Sequence, residues 1–367
     1  MAETIEDLEA NHENGVIDDA ANDSSVPLVQ YDITSYGADY DVEGLVKRLN
    51  RDDIQIPPFQ RNYVWNQQEA SRFVESLLLG LPVPAVFFSR EQESNKLLVI
   101  DGQQRLKTLQ FFYNGIFNPK AGDKKQQVFR LLRVQPQLEG KTYKDLEEPD
   151  KIKLNDSLIH AIIVKQEAPQ NDNTSVYHIF DRLNSEGRGL TAQEIRTAVD
   201  HGHFIDLIKD LNEYENWRNI YGKKNSRLKD QELILRFLAF NFSSAIYEKP
   251  MKEFLNKFSG KHRYANEQFL AEARKVFINT IDAVWKSIGA KAFRPVSGIN
   301  AAVFDSVMIG LARRINQKAI DDFSKVKQAY DELLGDKEYE KLISQSTSDA
   351  SNVLSRFKKA TEKFSTI

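Results

Sequence analysis

The sequence predicts an α+β protein, a compact unit of mixed strands and helices followed by an α-helical domain. Three observations predict it. Short apolar runs at residues 85–89 and 97–100 have the length and the β-branched, aromatic content of strands buried on both faces. Helix signals at 3.6-residue spacing alternate with strand signals up to about residue 165, the pattern of an α/β or α+β unit. From Thr174 onward nearly every periodic segment is helical. The chain is accordingly divided into an acidic tail over residues 1–38, a mixed domain over 39–200 and a helical domain over 201–367.

With 367 residues, 41% of them hydrophobic and 28% charged, the chain is long enough for two cores of ordinary soluble composition. No apolar run approaches the roughly 20 residues of a membrane span. The first residues are acidic, which does not make a signal peptide, so a cytoplasmic location without a membrane partner is expected. The absence of cysteine excludes disulfides, a thiol nucleophile and Cys-ligated zinc. The net charge of −3 hides an asymmetry. Residues 1–46 hold no Lys or Arg and twelve of the 53 acidic residues, which leaves 41 acidic against 50 basic residues in the remainder, a formal +9. Such a body suits contact with nucleic acid; the plainer reading of the tail is a solvated, disordered leader, too poor in large apolar residues to offset the entropy of ordering.

Val42, Leu45 and Val46 predict a short helix that opens the fold. Pro57 and Pro58 then force an extended stretch, in which Phe59, Tyr63 and Trp65 form a wall that would hold Gln60 and Arg61 in place or simply seal the core. Asn66 with Glu69 has the spacing of a capping box, the stripe Ala70, Phe73, Val74, Leu77, Leu78 and Leu81 follows, and Gly80 marks the stop. Beyond the strands at 85–89 and 97–100 and the helix carrying Leu106, Leu109 and Phe112, which Asn114 and Gly115 end, residues 120–125 form a loop. Residues 128–134 and 159–165 are predicted as further strands, with a short helix around Leu154 between them. Val176, Ile179, Phe180 and Leu183 make one more helical stripe, ended by a turn over 184–190. Thr191 and Glu194 cap the next helix, and residues 233–242 and 301–315 lie in later ones.

The chemistry concentrates in Asp101, Gly102, Gln103, Gln104 and Arg105, a polar elbow between a buried strand and a helix. A helix starting there offers unpaired backbone N–H groups and partial positive charge to an anion, and Arg105 adds a planar guanidinium. The competing reading has Asp101 capping the helix and Arg105 merely paired with it. Gln60–Arg61 and residues 182–188 are two further polar elbows at the ends of apolar elements. Together they supply arginines for phosphate, amides for orientation, and Asp101 for Mg2+ or a water. No P-loop is present, so a nucleotide site here is of another design. His201 and His203 make a poor metal pair, lacking a carboxylate cluster. The basic clusters Lys223, Lys224, Arg227, Lys229 and Lys261, His262, Arg263 with Tyr264 suit either a phosphate backbone or a solvated helix connection.

The segments Ile56 through Arg61 to Trp65, Leu81 to Pro84, Ile100 to Arg105 with Thr108 and Leu109, and Phe180 to Asn184 through Leu190 to Glu194 resemble, in order and spacing, the N-terminal domain family of GmrSD-type restriction systems. The resemblance covers roughly residues 40–240, with Lys229 to Phe237 similar to the family's helical continuation. It implies a ParB/sulfiredoxin-like mixed core and nucleotide binding with hydrolysis at the Asp-Gly-Gln-Gln-Arg motif, within prokaryotic defence against modified foreign DNA. Carried over, Asp101, Gly102, Gln103, Gln104 and Arg105 form the nucleotide site, with Asp101, Gln104 and Arg105 as its catalytic set and Asp101 as the Mg2+ ligand. Gln60 and Arg61 complete it by analogy, and Arg182 and Asn184 are inferred as phosphate or base contacts. The expected ligand is an NTP, GTP or ATP, with Mg2+. Full-length relatives often carry a His-Asn-His nuclease domain; here the histidines are His12, His160, His178, His201, His203 and His262, so nothing after residue 262 supplies one. The expected partner is therefore a separate nuclease or other effector subunit, with DNA and a second copy of the chain also open. The rival reading is a non-catalytic module that recognises modified DNA, and a third, autonomous nuclease activity, is disfavoured by the histidine inventory.

Overall fold

The computed structural model describes residues 16–17, 32–56, 63–91, 95–119, 126–168, 174–183 and 190–367. These fold as two compact units. One is Gln30–Leu190; the other is Thr191–Ile367 together with strand β1 (Val16–Ile17).

The first unit is built on a five-stranded mixed sheet. Its strands are β2 (Asp32–Asp41), β3 (Ile54–Gln55), β4 (Val86–Arg90), β5 (Leu97–Asp101) and β6 (Leu158–Ala168), in spatial order β2-β6-β4-β5-β3. The β2/β6 and β4/β5 pairs are antiparallel, and the β6/β4 and β5/β3 pairs are parallel. Helices α1 (Val42–Asn50), α2 (Gln67–Leu79), α3 (Gln103–Asn114), α4 (Glu148–Asn155) and α5 (Thr174–Leu183) accompany it. Local chemistry sets their ends. Asp41 caps α1 by accepting from the Gly44 amide at 2.6 Å. Asn66 and Glu69 form the expected capping box on α2, and Gly80 closes that helix in the left-handed conformation. The core joins the apolar faces of α1, α2 and α3 to Val86, Phe88, Val99, Ile159, Ala161 and Ile163 of the sheet.

Two expectations for this unit need correction. Strand β2 begins at Asp32, inside the stretch taken for tail: six of its first residues are exposed, so it shows no apolar alternation, and its backbone is held by pairing with β6 alone. Residues 128–134 are not a strand beyond a single bridge from Val128 to Ile116. Phe129 and Leu131 are fully buried, but their amides donate to Gly115 (3.0 Å) and Lys141 (2.9 Å), and that of Leu132 to the Ser71 hydroxyl (3.0 Å). The alternating burial is real, and the hydrogen bonds go to loops instead of a ladder.

The second unit is helical. It comprises α6 (Ala192–Val199), α7 (His203–Asn212), α8 (Glu215–Tyr221), α9 (Lys229–Ser243), α10 (Met251–Lys261), α11 (Glu267–Ser287), α12 (Ala301–Gln317), α13 (Phe323–Leu334), α14 (Lys337–Leu342) and α15 (Ala350–Ser365), with β7 (Ile299–Asn300) pairing parallel to β1. Helix α6 groups with this unit, which begins at Thr191. Buried Arg196 reaches Asn256 at 2.9 Å and Glu232 at 3.0 Å. No helix among the described residues is long and apolar enough to cross a membrane.

The two basic clusters noted in the sequence are partly engaged within this unit. Lys224 pairs with Glu213 at 2.6 Å and Arg227 with Glu194 at 3.4 Å, while Arg263 donates to the His201 carbonyl and lies over the Tyr264 ring. His262 is half-buried and stacks on Phe269, with ring centroids 4.1 Å apart. Burial, helped by Lys261, lowers its pKa from the ordinary 6.5 to about 4. A histidine whose folded pKa is depressed contributes stability that is intact above pH 6.5 and is lost as pH falls from there through about 4. Unfolding midpoints of the wild-type chain should therefore drop more steeply between pH 6.5 and 4 than those of His262→Phe. Parallel pH profiles would show that His262 titrates normally in the folded state.

Candidate functional site

Strand β5 ends at Asp101, and the chain turns into α3 through Gly102, whose φ of +98° lies in the left-handed region. Glycine is required there twice over. A Cβ would sit 2.5 Å from Val86 Cγ1 and 3.3 Å from the Val86 backbone, and L side chains rarely adopt that φ. Gly102 is also the N-cap of α3 and has no side chain to cap it, while the Asp101 carboxylate binds Arg105 instead of capping the helix. The start of a helix carries partial positive charge, which favours an anion.

Arg105 is held from three sides. Its Nη2 donates to Asp101 Oδ2 at 2.7 Å, and its Nη1 donates to the carbonyls of Pro84 and Ala85, each at 2.6 Å. Its side chain is 13% exposed and that of Asp101 is 42% exposed. The guanidinium therefore fastens the elbow to the start of β4, and the pairing with Asp101 in the competing reading is present in a more structural form. Asp101 Oδ1 has no partner among the described residues and faces a partly open environment. One such oxygen fits an Mg2+ ion that takes its other ligands from water and phosphate, as Mg2+ commonly does. It does not fit an ion held by protein alone, since no group of three His, Asp or Glu among the described residues could hold a metal. The same finding leaves His201 and His203 without a third ligand.

Gln103 is buried at the start of α3. Gln104 Oε1 accepts from the amides of Val64 (3.0 Å) and Trp65 (3.4 Å), so its carbonyl clamps the end of the extended segment. One turn on, Thr108 donates to the Gln104 carbonyl and therefore accepts from the Tyr63 phenol at 2.7 Å. Burial pushes that phenol up to about 12. Tyr63 also packs edge-on against Phe111 and Phe117. Residues 63–65, which follow directly on Gln60 and Arg61, are in this way tied to the elbow helix. Gln60, Arg61 and Asn184 lie outside the described residues. Arg182 is exposed at the end of α5, a helix that packs on β5.

The structure thus brings Asp101, Gly102, Gln103, Gln104 and Arg105 together with Tyr63, Thr108 and Val86. The roles of Tyr63 and Thr108 were missed because each is ordinary in isolation; the signal was the helical spacing of Gln104 and Thr108, which puts both on the face that meets the aromatic segment.

Among known proteins, residues 42–199 match the profile described as GmrSD restriction endonuclease, N-terminal domain. The match ends at Val199, the last residue of α6. An uncharacterized protein of Methanocaldococcus jannaschii, MJ0686, is 31% identical over 98 residues, covering 20% of this chain. The chain spans only 16% of that relative's length. Over residues 42–199, then, the chain is similar to the GmrSD restriction endonuclease N-terminal domain family.

Proposed function

We propose that the protein binds and hydrolyses a nucleoside triphosphate, GTP or ATP with Mg2+, at the elbow of residues 101–105, as the sensor or regulatory subunit of a prokaryotic restriction or anti-phage defence system. The observation that carries this reading is a strand-to-helix elbow whose turn admits only glycine, in a stretch that matches a restriction family. The five-stranded mixed sheet is compatible with the ParB/sulfiredoxin-like core that the family resemblance implies.

In this reading the phosphates rest on the first-turn N–H groups of α3, with charge-assisted hydrogen bonds taking the place of hydration. Arg105 keeps Asp101 in position, and Asp101 Oδ1 orients the attacking water or meets Mg2+, which would supply charge neutralisation for the leaving phosphate. Gln104 holds the 63–65 segment. Gln60, Arg61 and Asn184, which lie outside the described residues, and Arg182 would add phosphate or base contacts. In this reading DNA cleavage falls to a separate nuclease or other effector partner.

The test is calorimetric titration with GTP and ATP in the presence of Mg2+, together with phosphate release, for the wild-type chain and Asp101→Ala. Saturable binding and turnover are expected for the wild type, and Asp101→Ala should lower turnover by about 100-fold or more, the scale of removing a water-orienting or metal-holding group. No binding by the wild-type chain, or equal turnover in both, overturns the reading. Salt-dependent binding of duplex DNA without nucleotide, weakened by Arg61→Ala, would instead identify a non-catalytic DNA module.

A further inference from the structure

The second unit carries a cleft of its own. It is an open cavity of about 570 Å³ lined by the ends of α9 and α12 and the middle of α11, a size within the range of small-molecule sites. Its floor is apolar. Val276 and Ile315 are half-buried there, and Phe242 is fixed against Phe269 with ring centroids 4.9 Å apart. Around that floor stand polar side chains that the fold leaves uncommitted. Among the described residues Glu272 and Lys275 have no hydrogen-bond or ion-pair partner, and neither have the side-chain amides of Asn279 and Asn316. Arg313 donates from Nη1 to Thr361 Oγ1 at 3.1 Å and has no carboxylate partner among the described residues.

The charges decide what the cleft suits. A simple anion would be drawn to Lys275 and Arg313 but opposed by the Glu272 carboxylate, and a simple cation would meet the reverse. A molecule carrying both signs answers all three groups. The spacing then sets how far apart those signs lie. Glu272 and Lys275 are one turn apart on α11, about 4.5 Å along the helix axis and about 5–6 Å between Cβ atoms. A charge-assisted hydrogen bond reaches only about 2.8 Å, so the two charged groups of the ligand must be close neighbours. An ammonium and a carboxylate on one carbon meet that condition. A base and a phosphate at opposite ends of a nucleotide do not.

We propose that this cleft binds a free α-amino acid with an apolar side chain, its ammonium on Glu272, its carboxylate on Lys275 and Arg313, and its side chain over Phe242, Val276 and Ile315. Asn279 and Asn316 supply further donors and acceptors to the charged pair. The site is independent of the nucleotide reading of the elbow.

The test is thermal shift and calorimetric titration of the full chain with leucine and phenylalanine. Two analogues serve beside them, 4-methylpentanoate and 3-methylbutylamine, which keep the side chain of leucine and lack its ammonium and its carboxylate respectively. Saturable binding of leucine or phenylalanine, with a raised melting temperature, is expected, and each analogue should bind at least about 10-fold more weakly than leucine. Glu272→Gln and Lys275→Met, both at exposed positions, should each weaken amino-acid binding about 10- to 100-fold while melting near the wild-type temperature without ligand. Failure of the wild-type chain to bind either amino acid overturns the proposal. Analogues that bind as tightly as leucine overturn it too, because the cleft would then be reading apolar shape and no charge. Affinity that both variants leave within twofold overturns it by placing the amino acid at another site.

Discussion

Gly102→Ala is expected to destabilise the first unit by about 3 kcal/mol, combining a left-handed φ that alanine resists with forced overlap against a packed neighbour. The overlap is with Val86, whose Cγ1, Cβ and Cα would lie 2.5, 3.0 and 3.3 Å from the new methyl group. Val86 is fully buried in the middle of the sheet and has no free space to move into. Chemical denaturation followed by circular dichroism measures the loss. A double-mutant cycle with Val86→Ala separates the two causes, since trimming Val86 relieves the overlap with its methyl groups but leaves the backbone strain. The two changes together should cost less than their sum by about 1 kcal/mol or more. Strict additivity would mean that φ alone makes glycine necessary. Any ligand seated on the first turn of α3 should be lost in parallel, because the elbow cannot keep its shape.

Asp305→Ala should be at least as damaging, at about 3–5 kcal/mol, the range for breaking a buried ionic cluster by removing one partner. Asp305 on α12 is fully buried and accepts from Arg236 on α9, with Nη2 at 2.6 Å and Nε at 3.2 Å; Arg356 on α15 approaches at 3.5 Å. Burial lowers the Arg356 pKa, and Asp305 opposes that shift. Deleting the carboxylate strands two buried guanidinium groups without their shared acceptor. A triple change, Asp305→Leu with Arg236→Met and Arg356→Met, removes the charges together and should cost much less than Asp305→Ala alone. If Asp305→Ala loses less than about 1 kcal/mol in thermal and denaturant unfolding, the guanidinium groups are being solvated and the cluster is not a lock.

Much of the architecture was legible. The capping boxes at Asn66 and Thr191, the strands around Phe88 and Val99 and the helix after Gly102 follow from short-range rules that depend on neighbours in the chain. Strand β2 was not legible, since an exposed strand carries no alternation and exists only because β6 pairs with it. Residues 128–134 misled for the opposite reason, because Phe129 and Leu131 alternate in burial without any strand partner. At the elbow the residue types and the Asp101–Arg105 pairing were visible, while the carbonyl contacts of Arg105 and the Gln104 clamp were not.

From the chain alone come the candidate elbow at residues 101–105 and the helical character of the second unit, because strand-to-helix turns and periodicity are encoded within a few residues. Tertiary structure alone decided that Arg105 also binds two carbonyls at the start of β4 and that Gln104 clamps the aromatic segment. Those contacts join residues about 20 to 40 apart in sequence and form only when the sheet and helices close. No local pattern carries that information, since the availability of a charge to a ligand depends on what the rest of the fold has already asked of it.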